Sequence, residues 1–279
     1  MIKLLASDLD GTIFDNEHQI ATNNQKAIEL IKKSNINFVI CTGKTYSICK
    51  DVCDTFHANY GIFGNGMQVM NLQTGEEIYK KTLPISHVLT CIHVAKQKQL
   101  HIHFYTNEEI ITEKLAYMDL RNYYLFKSHL SFKVVKNIEE YIKNNKPEIM
   151  KLVISDNQDL AEVKGELEKL VPLHIRQVKK IGEYRDSVIH KEYCYLDIIP
   201  NHVGKYEALQ FLTEKLQVKQ EEVMSIGDNL NDLNMIQKSG IGIAVGDAYE
   251  EVKKIADYTT KATAREGAFA EAIYKFIKY

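Results

Sequence analysis

Apolar residues along this chain fall in short runs that stop at polar, often glycine-containing turns. Residues 2–7 are mostly apolar and read as a buried strand halted at Asp8. Thr22 with Gln25 three residues on reads as a capping box opening a helix, on which Ala27, Leu30 and Ile31 share one face. Residues 37–41 then form a second buried strand that runs into Thr42-Gly43. Strand, helix and strand, each strand ending in a polar turn, is the pattern of a parallel sheet. The same rhythm returns near the C-terminus, where residues 223–226 run into Gly227-Asp228 and residues 241–245 into Gly246-Asp247.

The middle of the chain has another texture. Residues 101–105, 151–154 and 193–198 read as strands and residues 161–170 as a helix, with Pro84 and Pro200 near the two ends of the section. The expected architecture is therefore α/β: a doubly wound, Rossmann-like parallel-sheet core from residues 1–83 and 197–279, interrupted by an inserted α+β domain over residues 84–196.

Composition narrows the partners. Across 279 residues, 45% are apolar and 26% charged, so the chain can bury a proper core, and a net charge of -2 offers no field for nucleic acid or anionic lipid. No apolar run is long enough to span a bilayer or to serve as a signal peptide, which predicts a cytoplasmic protein. Five cysteines (Cys41, Cys49, Cys53, Cys91 and Cys194), odd in number and without a Cys-x-x-Cys pair, predict reduced, buried thiols.

Candidate chemistry lies at the strand ends. In an open parallel sheet, ligands gather outside the carboxyl ends of the strands, and Asp8, Thr42 and Asp228 each follow an apolar run directly. Asp10 can point the same way as Asp8 if the chain stays extended through Leu9, and Asp232 adds a further carboxylate near Asp228. Two carboxylates about 4 Å apart at an effective dielectric of about 20 repel by roughly 4 kcal/mol, so such a group calls for a cation or retained protons. Hard oxygen ligands without a suitably spaced His or Cys select Mg²⁺ over zinc. An Asp carboxylate can attack phosphorus, with Asp8 as nucleophile and Asp10 as general acid and base. Thr42, backbone N–H groups of the Thr42-Gly43 turn, and Lys205 supply donors for the phosphoryl charge.

At these residues the chain resembles the haloacid dehalogenase superfamily, in particular its sugar-phosphatase-like group with a large α/β cap. Asp8-Leu9-Asp10-Gly11-Thr12 is similar to the first motif of that family, Thr42 to the second, Lys205 to the third and the segment from Gly227 to Asp232 to the fourth. The resemblance implies Mg²⁺ held by Asp8, the Asp10 carbonyl and Asp228, with Asp232 supporting it through water. It places Asn231 near the phosphate or Lys205, and makes Lys44, Asn65 and Gly66 candidates for lining the substrate. The inserted domain corresponds to a cap that closes over substrate and sets specificity. Two positions depart from the group: Lys44 stands where Arg is usual, without Arg's planar fork, and Asp247 where Asn is common.

The implied protein is a Mg²⁺-dependent phosphatase of small phosphorylated metabolites, sugar or cofactor phosphates, acting through an aspartyl-phosphate. A phosphomutase or phosphotransferase of the same fold is the alternative, ahead of a non-catalytic phosphoacceptor or an RNA-binding module. The RNA reading rests on a basic, aromatic stretch of Arg121, Tyr123, Tyr124, Phe126, Lys127, His129, Phe132 and Lys133. His101 and His103 share one face of a strand, placed either to touch substrate or to pack. Cys49 and Cys53, one helical turn apart, are expected to pack.

Overall fold

A computed structural model of the chain describes residues 1–114, 131–182 and 191–277. The chain divides into two compact units, Met1–Lys80 with Val203–Tyr279, and Lys81–His202. Both divides fall a few residues outside the prolines, because Pro84 serves as the N-cap of the first helix of the second unit and Pro200 ends one of its strands.

The first unit is built on an eight-stranded sheet. Its strands are β1 (Leu4–Ser7), β2 (Asn37–Cys41), β3 (Tyr60–Phe63), β4 (Gln68–Asn71), β5 (Glu76–Lys80), β12 (Val223–Gly227), β13 (Ile241–Ala244) and β14 (Tyr258–Thr259), in the order β14-β13-β12-β1-β2-β3-β4-β5. All neighbours from β14 to β3 are parallel, while β4 and β5 add an antiparallel edge.

Both faces of the parallel part of the sheet are buried, which is why its strands read as mainly apolar runs. Leu5, Phe38 and Ile40 pack on one side with helices α1 (Thr22–Lys32), α2 (Tyr46–Phe56) and α9 (Ala268–Phe276). Leu4, Ala6, Val39 and Cys41 pack on the other with α6 (Lys205–Leu216). The alternation follows the two-residue period of a strand. Short helices α7 (Leu233–Gln237) and α8 (Glu250–Ile255) complete the unit. The expected doubly wound parallel core is thus the observed one.

One local expectation fails. Thr22 is the first residue of α1 and caps nothing; the N-cap is Ala21, without a side-chain hydrogen bond. The buried stripe is Asn24, Ala27, Ile28 and Ile31, with Leu30 only partly covered. A tertiary contact decides this, since Asn24 lies inward, donates to the Ile13 carbonyl and accepts from the Ala270 N–H. A polar residue that finds both partners in the core rotates the helix one position from where apolar periodicity alone would set it.

The second unit carries a six-stranded sheet in the order β10-β11-β9-β6-β7-β8. The strands are β6 (His101–Tyr105), β7 (Glu109–Thr112), β8 (Ser131–Val134), β9 (Lys151–Asp156), β10 (Leu173–Gly182) and β11 (Lys191–Pro200), antiparallel except for the parallel pair β7–β8. Helices α3 (Ile85–Gln97), α4 (Ile138–Asn145) and α5 (Ala161–Leu170) bury Ile102, Phe104, Leu152, Ile154, Leu196 and Ile198 on one face. Among the described residues no helix is long and apolar enough to cross a membrane.

Candidate active site

Strand order decides where the polar turns meet. The chain leaves β1 toward β2 and β3 on one side and returns through β12, β13 and β14 on the other, so the crevice at the carboxyl end of β1 is a topological switch point. Asp8 follows β1, Thr42 follows β2 and Asp228 follows β12. The Asp8 N–H donates to the Ile226 carbonyl at 3.0 Å, and the Thr42 N–H to the Ile62 carbonyl at 2.8 Å, so the ladder continues into the turns and fixes both residues.

Two glycines let the turns close on one another. Gly11 has φ +83°, and a Cβ there would lie 2.4 Å from an Asp228 carboxyl oxygen. Gly66 has φ +100°, and a Cβ would lie 2.1 Å from the Gly204 carbonyl, one residue before Lys205. Both positions combine a left-handed backbone with an approach that excludes any side chain.

Lys205 is the first residue of α6 and points inward, only 1% exposed. Its ammonium donates to Asp8 Oδ1 at 2.7 Å and to Asp232 Oδ1 at 2.6 Å. The other Asp232 oxygen accepts the N–H groups of Asp228 at 3.2 Å and Asn229 at 3.0 Å, so this carboxylate braces its own turn and the lysine. The Thr12 hydroxyl donates to Asp228 Oδ1 at 3.0 Å. Asp8, Asp228 and Asp232 each present an oxygen within 4.8 Å of the others.

Charge in this group does not balance among the side chains. Three carboxylates face one ammonium. Burial lowers the affinity of Lys205 for its proton, but Asp232 and Asp8 more than reverse this and hold the ammonium firmly protonated. Burial pushes the Asp8 carboxyl well above the usual range; Lys205 opposes this, while Asp232 and Asp228 add to it. The Asp228 carboxyl is pushed up to about 6, by burial first and Asp232 second, against the Thr12 hydrogen bond and Lys205. Two surplus negative charges on hard oxygens fit a divalent cation of the Mg²⁺ class. Asp8 and Asp228 are the available ligands, since the Asp232 oxygens are already engaged. The Asp10 carboxylate is not among the three.

Asp10 is held elsewhere. Lys44 Nζ lies 2.7 Å and His18 Nδ1 3.3 Å from its Oδ1. The Thr42 hydroxyl oxygen accepts the Lys44 N–H at 3.2 Å, which leaves its hydrogen to be donated outward. Asn65, with φ +58°, accepts at Oδ1 from the Asn231 side chain at 2.9 Å and donates its N–H to the Thr42 carbonyl at 3.0 Å. The turn after β3 thereby joins the turns after β2 and β12. Gly43 is exposed beside Thr42, and Asp247 is exposed in the turn after β13.

The expected residues Asp8, Thr42, Lys205, Asp228, Asp232, Asn65 and Asn231 therefore meet in one crevice. Two contributors escaped the sequence reading. Thr12 was visible as part of the acidic turn, yet its bond to Asp228 spans 216 residues. His18 carried no signal at all. In the second unit, His103 is buried and its ring lies 5.5 Å from that of His101, both on β6. Of the basic, aromatic stretch, Phe132 and Lys133 sit on β8, while Arg121, Tyr123, Tyr124, Phe126, Lys127 and His129 lie outside the described residues.

Comparison with known proteins gives the family. The family model described as haloacid dehalogenase-like hydrolase matches residues 5–273, and the chain belongs to that family. The chain is 28% identical over 286 residues to the 5-amino-6-(5-phospho-D-ribitylamino)uracil phosphatase YcsE of Bacillus subtilis, covering 99% of this chain and 96% of that protein. It is 25% identical over 255 residues to an HMP-PP phosphatase of Yersinia pestis, covering 91% and 87%. A solved haloacid dehalogenase-like hydrolase from Bacteroides thetaiotaomicron superposes with a TM-score of 0.82 at 28% identity, over 99% of this chain and 100% of that one. The protein is an enzyme, a phosphatase of the haloacid dehalogenase type.

Proposed function

We propose that this enzyme is a Mg²⁺-dependent phosphatase of small phosphorylated metabolites, sugar or cofactor phosphates, that works through a phosphoryl group carried on Asp8. The observation that carries the reading is the buried Asp8–Lys205–Asp232 chain beside Asp228, in which the carboxylates outnumber the one ammonium. Burying such an excess without a ligand is costly, and it suits a site whose working partners are a cation and a phosphate.

An Asp8 oxygen attacks phosphorus, the ester P–O bond breaks, and the departing oxygen takes a proton from Asp10. Water then attacks the aspartyl-phosphate, gives its proton to Asp10 and releases inorganic phosphate from Asp8. Lys205, the Thr42 hydroxyl and the N–H groups of the Thr42-Gly43 turn receive the phosphoryl oxygens. Asn231, oriented by Asn65, is a further donor, and Lys44 and Gly66 border the substrate. Asp8, Asp228 and the Asp10 carbonyl would hold a Mg²⁺ ion, with Asp232 supporting it, and the bound ion would supply neutralisation of the carboxylate and phosphate charge.

The second unit, residues 81–202, is assigned the role of cap and selects the substrate. Two relatives named for phosphorylated small molecules, the 5-amino-6-(5-phospho-D-ribitylamino)uracil phosphatase and the HMP-PP phosphatase, support substrates of that class. Five free, buried thiols suit a cytoplasmic protein.

A panel of phosphate esters assayed with and without Mg²⁺ tests the reading. Asp8→Asn is expected to lower turnover by more than about a thousandfold, with a phosphoryl group trapped on Asp8 of the wild type by rapid acid quench. Hydrolysis that survives Asp8→Asn, or that ignores chelation, would refute it.

A further inference from the structure

We propose that His18 is a positioning residue for Asp10: with Lys44 it secures one carboxyl oxygen, so that the transferable proton sits on the other, facing the leaving group. The proposal rests on the reading of Asp10 as acid and base.

The turn before α1 is built to present this ring. Asp15 is buried, and its Oδ1 accepts the N–H groups of Glu17 at 2.9 Å and Gln19 at 2.8 Å. The Asp15 N–H donates to the Gln19 carbonyl, and the His18 N–H to the Asp15 carbonyl, both at 3.0 Å. Closing so tight a loop puts His18 at φ +57°, in the left-handed region. Glycine or asparagine takes that conformation at least cost, and histidine is among the other residues that accept it.

Neighbouring contacts fix the direction of the loop. Phe14 bridges to both Asp10 and Ile20, and its ring stacks on Phe56 at 5.8 Å and meets His18 edge-on at 6.5 Å. The result is a ring nitrogen 3.3 Å from Asp10 Oδ1, the same atom that Lys44 reaches at 2.7 Å.

Convergence on one oxygen has a chemical consequence. Lys44 donates to this oxygen, and His18 Nδ1 faces it and donates when it carries a hydrogen; an oxygen so engaged is the poorer seat for the transferable hydrogen, so protonated Asp10 carries it on Oδ2. In the first half-reaction Asp8 forms its bond to phosphorus, the ester bond breaks, and the departing oxygen takes that hydrogen. Asp10 alone, about a third exposed, would rotate and offer either oxygen. Proton delivery depends on geometry before it depends on acidity.

Leaving-group dependence separates this role from a structural one. An alkyl phosphate needs its departing oxygen protonated, whereas p-nitrophenyl phosphate does not. Values of kcat/KM, which report the step up to phosphorylation of Asp8, are compared on both esters for wild type, Asp10→Asn, His18→Gly and His18→Asn. Glycine accepts the left-handed backbone, so it removes the ring without strain. Asparagine accepts it too, and keeps an N–H donor at the same number of bonds from the backbone as Nδ1. His18→Gly is expected to lose about tenfold or more on the alkyl ester and under about threefold on the aryl ester, in the same sense as Asp10→Asn, and His18→Asn is expected to restore most of the loss. Equal losses on both esters, no loss on the alkyl ester, or failure of asparagine to rescue would overturn the proposal while leaving the phosphatase reading intact. The alkyl ester is one that wild type hydrolyses in the panel above; if Asp10→Asn shows no such split, the acid-base reading falls and this proposal with it.

Discussion

Each unit builds an ionic group around a buried side chain, and the two groups are opposite in balance. In the first, Lys205 stands between Asp8 and Asp232 with Asp228 alongside, and the carboxyls of Asp8 and Asp228 are driven up. In the second, Asp197 on β11 lies 2.7 Å from Lys151 and 3.2 Å from Arg176. Burial alone would raise Asp197, but Lys151 and then Arg176 hold it below its usual range. The Asp197 cations are 29% and 55% exposed, so water shares the task of solvating them, whereas Lys205 has none. One group has enough positive charge among its own side chains and ties three strands together. The other is short of positive charge, and that deficit marks it as the place where a ligand acts.

Removing a member of each group sharpens the contrast. Lys205→Met leaves buried carboxylates unpaired and is expected to cost about 3–5 kcal/mol in urea unfolding. Adding Asp8→Asn to it should recover part of that loss, because one of the stranded charges is gone. Additive losses would mean that Lys205 acts by packing.

Metal and pH come next in size. The native Asp228 pKa of about 6 lies above its usual 3.8, so the native state holds this proton more tightly than the unfolded chain does. In chelated protein the contribution of Asp228 to stability is therefore greatest below about pH 4 and is lost as pH rises through 6. Mg²⁺ competes with that proton, so thermal unfolding should show a larger gain on adding Mg²⁺ at about pH 7.5 than at about pH 5. A hundredfold excess over Kd corresponds to about 2.7 kcal/mol. An equal gain at both pH values would break the link between the raised carboxyl and the cation.

Asp197→Asn should have the smallest effect, about 1–2 kcal/mol, since its cations can turn to solvent. Its sign with pH is the reverse of Asp228: the lowered pKa contributes stability that is present above about pH 4 and lost on acidification. The substitution should leave turnover of a minimal ester such as p-nitrophenyl phosphate within about twofold, as expected of a change away from the reacting groups. A loss comparable to that of Lys205→Met would erase the distinction between the two groups.

Much of this was legible from residues alone, for identifiable reasons. Strands buried on both faces must be mainly apolar, Ser7 and Ser225 being admitted because their hydroxyls donate to the Asp8 and Met235 carbonyls, so β1, β2, β12 and β13 stand out, and the polar residue that ends each one lies at the ligand-binding edge of the sheet. The core edge strands β4 and β5 gave no comparable signal. Glu76, Glu77 and Lys80 leave β5 half exposed and charged, a composition that also describes a loop. In α1 the apolar period pointed to Leu30, and the inward position went to Ile28 because Asn24 found its partners at Ile13 and Ala270.

By itself the sequence determined the parallel core, the family, and the set of groups that meet at its switch point, since these depend on local hydrophobic runs and on residues at fixed offsets from strand ends. The tertiary structure alone decided how those groups are paired: Asp232 with Lys205, Thr12 with Asp228, Asn65 with Asn231, and Asp10 with Lys44 and His18. Pairing of this kind joins turns that are distant along the chain, and no local pattern encodes the distance between two turns until the strands beneath them are in register.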